Sequence, residues 1–311
     1  MRHLITLDDI SPTEINRVFE LSAELKTKFG QGIREPLLPG RILALLFEKQ
    51  SLRTRVSFEA GIAHLGGNSI LLGEDVGFGS RESIEDFARV LGGMVDVIVA
   101  RAKIHATVEA LANHADCHVI NGLTDRAHPC QALADLYTIR ERFGELDGKT
   151  LTWIGDGNNV ATSLARACSC LGMKFVCCTP KGYELDPQVV AGIPQRSPSF
   201  ELIQSQDPQD AVCKAAAVYT DVWASMGQEG ERDKRRGDFA EYQVNQKLMA
   251  NAPGNAIFMH CLPARRGEEV TNDIIDGPQS IVLQQANNRL HVQKGILAWL
   301  LQESHDEPPQ P

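Results

Sequence analysis

Apolar and polar positions follow one another along this chain in two rhythms. Short unbroken apolar runs give way to longer stretches in which apolar residues return every third or fourth place. Ile42 to Phe47 is such a run and predicts a buried strand. After it, Val56, Ala60 and Ala63 recur at helical spacing until Gly66-Gly67 stops the pattern, so Ser51 to Arg55 fall at a helix N-terminus. Upstream, Ser11-Pro12-Thr13-Glu14 is a capping box with proline at the first helical position. Ile15, Val18, Leu21 and Leu25 then share one face of a helix ending near Gly30.

The same alternation continues downstream. Ser69 to Leu72, Val95 to Ala100 and Cys117 to Asn121 predict strands, with helices after Ser83 and from Thr107 to Ala115, and a glycine-rich loop from Gly73 to Arg81. A long helix from Gln131 to Phe143 precedes the clearest break, Leu146-Asp147-Gly148-Lys149. Beyond it, strands are predicted at Leu151 to Ile154, Lys174 to Cys178, Phe200 to Ile203, Ala217 to Thr220 and Ala256 to Met259, with a last one at Ile281 to Leu283. Val292, Ile296, Leu297 and Leu300 mark a closing helix. Strands alternating with helices predict the α/β class, here two doubly wound parallel-sheet domains. A chain of 311 residues has the length for two. The expected division is 1–145 and 146–287, with the helix at 288–302 completing the first domain and an acidic, proline-rich tail at 303–311 expected to be disordered.

Composition narrows the function classes. A net charge of -9 argues against a general nucleic-acid surface, which needs a basic face. The eight cysteines lie mostly within apolar runs and form no CxxC pair, so buried free thiols are expected rather than disulfides or a zinc site. Met1 to Asp9 lacks the apolar core of a signal peptide, and no apolar run is long enough to span a membrane. The expectation is a cytoplasmic chain that binds no membrane.

Candidate chemistry collects just beyond the predicted strand ends: Ser51 to Arg55, Arg101, His128-Pro129-Cys130-Gln131, Asn158-Asn159, Asp221 and His260-Cys261-Leu262-Pro263. Open parallel sheets bind ligands along that edge, and two domains each offering one would meet at a cleft. A helix N-terminus carrying Ser51, Thr54 and two arginines suits a phosphate or carboxylate. Taken singly, each residue has a plainer reading. Ser51 and Arg55 belong to an ordinary capped first turn, Arg101 caps a strand, His128 is a hydrogen-bonded structural histidine, Asp221 caps the next stretch of backbone, and Cys261 is a buried thiol.

In order along the chain, Ser51-x-Arg53-Thr54-Arg55, His128-Pro-Cys-Gln131, Asp221-Val-Trp-Ala-Ser225-Met226-Gly227, His260-Cys-Leu-Pro263 and Asn288-Arg289 resemble the motifs of the aspartate/ornithine carbamoyltransferase family, and of its ornithine-specific branch. The resemblance runs from about residue 1 to 302. It implies two α/β domains joined by the long helix and the C-terminal helix, a homotrimer, no metal or organic cofactor, and transfer of a carbamoyl group from carbamoyl phosphate to L-ornithine in arginine metabolism. By the same resemblance, Ser51, Arg53, Thr54, Arg101 and Arg289 hold the phosphate, with the main-chain N–H of Leu52. Thr54, Arg101 and His128 surround the carbonyl oxygen, and Gln131 with Cys261-Leu262 holds the carbamoyl amine. Asn159, Asp221, Ser225 and Met226 match ornithine-binding positions. The catalytic set implied is Arg101, His128, Asp221 and Cys261.

Three departures stand out: Leu52 replaces a threonine, Asn287 an acidic residue, and Gly77 a glutamine or histidine whose loss would remove one carbamoyl phosphate contact. Rival readings are a carbamoyltransferase for acetylornithine, putrescine or aspartate, a ligand-binding protein without activity, and a dehydrogenase. The last rests on Gly155-Asp156-Gly157 after a strand, but Cys177 to Lys181 lacks the acidic residue that a dinucleotide site expects.

Overall fold

A computed structural model describes residues 1–73, 76–224 and 229–302, so the expected disordered tail lies outside the described residues. The chain forms two compact units. The first comprises Met1–Tyr137 with the segment from Asn287 onward, and the second Thr138–Ala286.

In the first unit, the strands β1 (Ile42–Phe47), β2 (Asn68–Leu72), β3 (Val97–Arg101) and β4 (His118–Leu123) form a parallel sheet in the order β2-β1-β3-β4. Its helices are α1 (Pro12–Gly30), α2 (Leu52–His64), α3 (Ile84–Gly92), α4 (His105–His114) and α5 (Pro129–Phe143). Ala44, Leu46, Ile98, Ala100 and Val119 pack with Phe87 and Ala88 of α3 and Val108 and Leu111 of α4. The alternating Leu43, Leu45, Val97 and Val99 are buried as well, so both faces of the sheet are covered, as parallel sheets require. Beside β4, Leu4 adds a short parallel bridge, its N–H donating to the Val119 carbonyl at 2.9 Å.

The second unit repeats the plan with β5 (Thr150–Ile154), β6 (Lys174–Cys178), β7 (Glu201–Ser205), β8 (Ala217–Thr220) and β9 (Ile257–His260), all parallel, in the order β7-β6-β5-β8-β9. The helices are α6 (Asn159–Leu171), α7 (Pro187–Ala191), α8 (Pro208–Val212), α9 (Arg232–Asp238), α10 (Gln246–Met249) and α11 (Asn272–Ile275). A last helix, α12 (Val282–Gln302), runs from the second unit back into the first, as α5 runs out of it. No described helix is long and apolar enough to cross a membrane.

Two expectations fail locally. Ile281 to Leu283 is not a strand: Ser280 makes a single bridge to Phe258, and the backbone then enters α12 at Val282. Helix α2 forms as expected but buries another face. Thr54, Ser57, Phe58, Gly61 and Ile62 are inside, whereas Val56 is 50% exposed and Ala63 is at the surface. Phe58 and Ile62 carry more apolar area than the alanines, and burying them turns the hydroxyls of Thr54 and Ser57 inward too. Phe58→Ala is therefore expected to lower stability by about 3–5 kcal/mol, and Ala63→Gln to change it by less than about 0.5 kcal/mol, both read from urea unfolding.

Candidate active site

In each sheet the chain order reverses once, between β1 and β3 and between β5 and β8. The connections on either side of such a switch point depart to opposite faces, leaving a crevice at the strand C-termini. At the first, α2 begins directly after β1, and Ser51 caps it by accepting the Thr54 N–H on Oγ at 3.2 Å. Arg101 ends β3 in register with Phe47 and is 7% exposed. His128 closes the β4–α5 loop, and its carbonyl receives the N–H groups of Gln131 and Ala132 at 3.1 and 3.2 Å. Gln131 thereby lies in the first turn of α5, where its Nε2 donates to Asp135 at 2.8 Å. Arg289, buried on α12, donates to Gln131 Oε1 and, at 3.2 Å, to Thr54 Oγ1. Gly122 lets β4 run close to this turn, since a Cβ there would stand 3.4 Å from Thr54 Cγ2 and 3.2 Å from Val99 Cγ1.

Electrostatics unite these groups. His128 is buried, and its pKa lies well below the ordinary histidine value, first because burial disfavours the imidazolium and then because Arg289, Arg101 and Arg53 all repel a proton there. At neutral pH the ring is an uncharged hydrogen-bonding group beside three guanidiniums. The arrangement suits a small, multiply charged anion with a polar, uncharged end.

The second switch point is acidic. Asn158 caps α6, accepting the N–H groups of Val160 and Ala161, while its Nδ2 donates to Asp221 Oδ2 at 3.2 Å. Asp221 follows β8, and its Oδ1 accepts the Val222 N–H at 2.8 Å and the Cys261 thiol at 3.1 Å. Cys261 follows β9 and is half-buried, as Asn159 is at the start of α6. Thus Asp221 and Cys261 meet directly, and Leu262 adjoins them. Asp221, His260 and Cys261 present donor atoms within 4.8 Å of one another, a grouping that the sequence spacing gave no reason to expect, although both His260 ring nitrogens are engaged in hydrogen bonds. Asp156, also just past β5, is paired with the buried Arg235 of α9 at 2.9 Å. Arg235 also donates to the Trp223 carbonyl at 2.9 Å, fastening the β5 and β8 loops to each other. Burial pushes the Asp156 carboxyl up, and the guanidinium opposes that shift.

The first unit thus gathers Ser51, Leu52, Arg53, Thr54, Arg101, His128, Gln131 and Arg289, and the second Asn159, Asp221, Cys261 and Leu262. Ser225 and Met226 lie outside the described residues. Asn158 stood beside Asn159 among the strand-end candidates without a role of its own, and Arg235 was not among them. Asn158 had a signal, an Asn doublet after a glycine turn at a strand end. Arg235 had none, because its local partner Glu231 is an ordinary helix pair and the partners that draw it inward, Asp156 and Trp223, lie on other segments.

The departures have local explanations. The Leu52 side chain is 73% exposed, so only its main chain belongs to the first turn of α2. Asn287 is at the surface, whereas Asn288 accepts from Lys26 at 2.7 Å and Arg289 points inward. Gly77 has φ +66°, and a Cβ there would collide with the stem of Arg81, which fills that space. The glycine of the supposed dinucleotide fingerprint is likewise spoken for: a Cβ on Gly157 would stand 2.6 Å from the main chain at Glu184 and Leu185.

Known proteins resemble this chain along nearly its whole length. Residues 2–141 match the family model described as aspartate/ornithine carbamoyltransferase, carbamoyl-P binding domain, and residues 147–300 match that described as aspartate/ornithine carbamoyltransferase, Asp/Orn binding domain. Ornithine carbamoyltransferase of Pyrococcus abyssi is 49% identical over 305 residues, covering 96% of each chain. That of Carboxydothermus hydrogenoformans is 48% identical over 304 residues, covering 96% of this chain and 97% of the other. The solved structure of ornithine carbamoyltransferase from Pyrococcus furiosus superposes with a TM-score of 0.94 at 47% identity, covering 97% of each chain.

Removing one partner of a buried ion pair strands the other, so Arg235→Ala is expected to cost about 3–5 kcal/mol, with partial recovery on adding Asp156→Asn. Urea unfolding of the single and double variants reads both. A histidine held deprotonated only in the folded chain leaves the unfolded chain binding more protons below about pH 6.5, so stability falls as pH drops through that value. His128→Gln is expected to make this fall shallower, seen in urea midpoints at about pH 7.5 and 5.5.

Proposed function

The chain belongs to the aspartate/ornithine carbamoyltransferase family, and from that premise we propose that it transfers the carbamoyl group of carbamoyl phosphate to the side-chain amine of L-ornithine, giving L-citrulline and phosphate. The observation that carries this reading is the gathering of Arg53, Arg101 and Arg289 around an uncharged His128. Ser51, Arg53, Thr54, Arg101 and Arg289 take the phosphate, together with the main-chain N–H of Leu52 at the start of α2, where free amides and the dipole favour an anion. Thr54, Arg101 and His128 face the carbonyl oxygen. Gln131 and the Cys261-Leu262 main chain hold the carbamoyl amine, while Asn159, Asp221, Ser225 and Met226 hold ornithine. Residues 1–145 with 288–302 serve as the carbamoyl phosphate domain and 146–287 as the ornithine domain.

The chemistry follows from these placements. An alkyl amine has a pKa of about 10.4 in water, so it must be bound uncharged to attack. The surrounding guanidiniums disfavour its ammonium form. Its nitrogen lone pair forms the new C–N bond while the carbonyl electron pair moves onto oxygen. Arg101 and the neutral His128 stabilise that oxyanion, usually the largest electrostatic contribution to such a step. The oxyanion's electron pair then re-forms the C=O bond as the C–O bond to phosphate breaks, and that bond's pair leaves with the phosphate into the arginine cluster. The proton shed by nitrogen passes to the Asp221 carboxylate, which the Cys261 thiol orients. The reaction written this way uses no metal or organic cofactor.

The finer setting belongs to the same proposal: a cytoplasmic enzyme of arginine metabolism, acting as a homotrimer. All eight cysteines are free, in keeping with a reducing compartment. Leu52, Val56, Ile70 and Leu71 are 40–73% exposed on α2 and the edge strand β2, apolar surface that subunit contacts would cover. Light scattering is expected to return three times the 34.1 kDa chain mass.

Incubation with carbamoyl phosphate and each of ornithine, acetylornithine, putrescine and aspartate is expected to release phosphate and carbamoylated product with ornithine alone. Turnover on another amine, or on none, would overturn the reading. Asp221→Asn is expected to lower kcat by roughly 10²–10⁴-fold, and His128→Ala by roughly 10²–10³-fold, measured as citrulline formed.

A further inference from the structure

The loop after β9 is held from behind by two buried residues that the proposed reaction does not use. His260 and Glu269 are both 0% exposed. The Leu262 N–H donates to His260 Nδ1 at 2.8 Å, so that nitrogen carries no proton. The proton of the neutral ring then sits on Nε2, which lies 3.1 Å from Glu269 Oε1 and donates to it. The same Glu269 oxygen accepts the Arg265 N–H at 2.6 Å. Gln285 accepts the His260 N–H at 2.9 Å and donates to the Tyr219 hydroxyl at 3.0 Å, tying the end of β9 to β8. Between these anchors Leu262 adopts φ +58°, the one left-handed non-glycine residue among the described residues. Such a conformation persists only where the surroundings over-determine it.

We propose that Glu269 is a positioning residue for carbamoyl transfer: by fixing His260 in its Nε2–H form, it holds the Leu262 main chain in a left-handed turn and so sets the Cys261-Leu262 segment at the reacting group. This rests on the reading that Cys261-Leu262 holds the carbamoyl amine. The carboxylate acts through two hydrogen bonds in series. Losing it frees the ring to turn over or to take a proton on Nδ1, and either change removes the acceptor for the Leu262 N–H. Protonation of Nδ1 also places two N–H groups in opposition. The second Glu269 oxygen, Oε2, is buried and makes no hydrogen bond. Replacement by glutamine therefore keeps the working oxygen and leaves its amide nitrogen in the idle place.

The test uses the full chain with the variants Glu269→Ala, Glu269→Gln and His260→Asn. Magic-angle-spinning NMR of protein labelled only at histidine, with the His260 signal identified by its loss in His260→Asn, is expected to show an unprotonated Nδ1 and a protonated Nε2 in the parent chain. In Glu269→Ala that signature is expected to be lost and kcat to fall at least ten-fold, while inorganic phosphate binds with unchanged affinity by calorimetry. Glu269→Gln is expected to restore the signature and most of kcat, a rescue that a merely bulk-filling glutamate would not explain. A parent His260 protonated on Nδ1, or a Glu269→Ala chain that keeps the signature, would overturn the proposal at the histidine. A Glu269→Ala chain that loses the signature yet turns over at the parent rate would overturn it at the segment, and would show that Cys261-Leu262 does not hold the reacting group.

Discussion

Positive charge gathered in a buried place is the constraint on which the first unit depends. Arg101 and Arg289 are almost wholly removed from water, a state that costs several kcal/mol per ion unless hydrogen bonds and geometry compensate. The fold meets that cost by attaching each cation to a different rigid element. Arg101 ends a central strand, Arg289 lies within α12, and Arg53 rides the first turn of α2, so the groups cannot relax apart without unpacking the sheet. Gln131 and Thr54 offer Arg289 an amide oxygen and a hydroxyl, neutral acceptors that orient it. The field falls on His128, which responds by staying uncharged. In the proposed reaction a phosphate bearing two negative charges would relieve this repulsion, most of all as charge develops on the departing oxygens, and the arrangement would then favour the transition state over the bound reactant.

Topology explains why such a constellation can be built twice with opposite sign. Both sheets reverse direction beside their first strand, β1 in one and β5 in the other, and at each reversal the strand's C-terminus opens onto a helix start. At β1 the sequence places Ser51, Arg53 and Thr54, and the partner strand β3 delivers Arg101. At β5 it places Asn158 and Asn159, and β8 delivers Asp221. Asparagine at the second site serves two purposes, since its oxygen caps α6 while its amide nitrogen binds the Asp221 carboxylate. A carboxylate facing an amide and a thiol, rather than an arginine, keeps acceptor capacity that the proposed amine substrate would use.

The sequence made the strands and most helices legible because central parallel strands are buried on both faces and read as unbroken apolar runs. It also made the strand-end chemistry legible, since Arg101 directly after Val97 to Ala100 has no reason to be there in a core. The features left unread were settled by contacts far along the chain. Val56 and Ala63 fit helical spacing as well as Phe58 and Ile62 do, and only packing chose between them. Ile281 to Leu283 looked like a strand because an apolar triplet carries no period, and a single bridge at Ser280 precedes the helix. Glu269, nine residues beyond His260, has no local pattern at all, and neither does Arg235, whose partners Asp156 and Trp223 lie on two other segments.

The glycine turn after β5 shows how the same local motif can be put to a different use. In a dinucleotide site the second glycine lets the main chain approach a pyrophosphate. Here Gly157 lets it approach the protein itself: its N–H donates to the Tyr183 carbonyl at 2.8 Å, and any side chain would strike Glu184 and Leu185. The loop after β6 thus occupies the place where a pyrophosphate would lie, and Asp156, between the two glycines, is turned to Arg235. Filling that space leaves the β5 turn rigid, and rigidity is what Asn158 needs to hold Asp221 in one orientation. A turn of the kind that dinucleotide sites use is closed here by backbone against backbone rather than by any side chain.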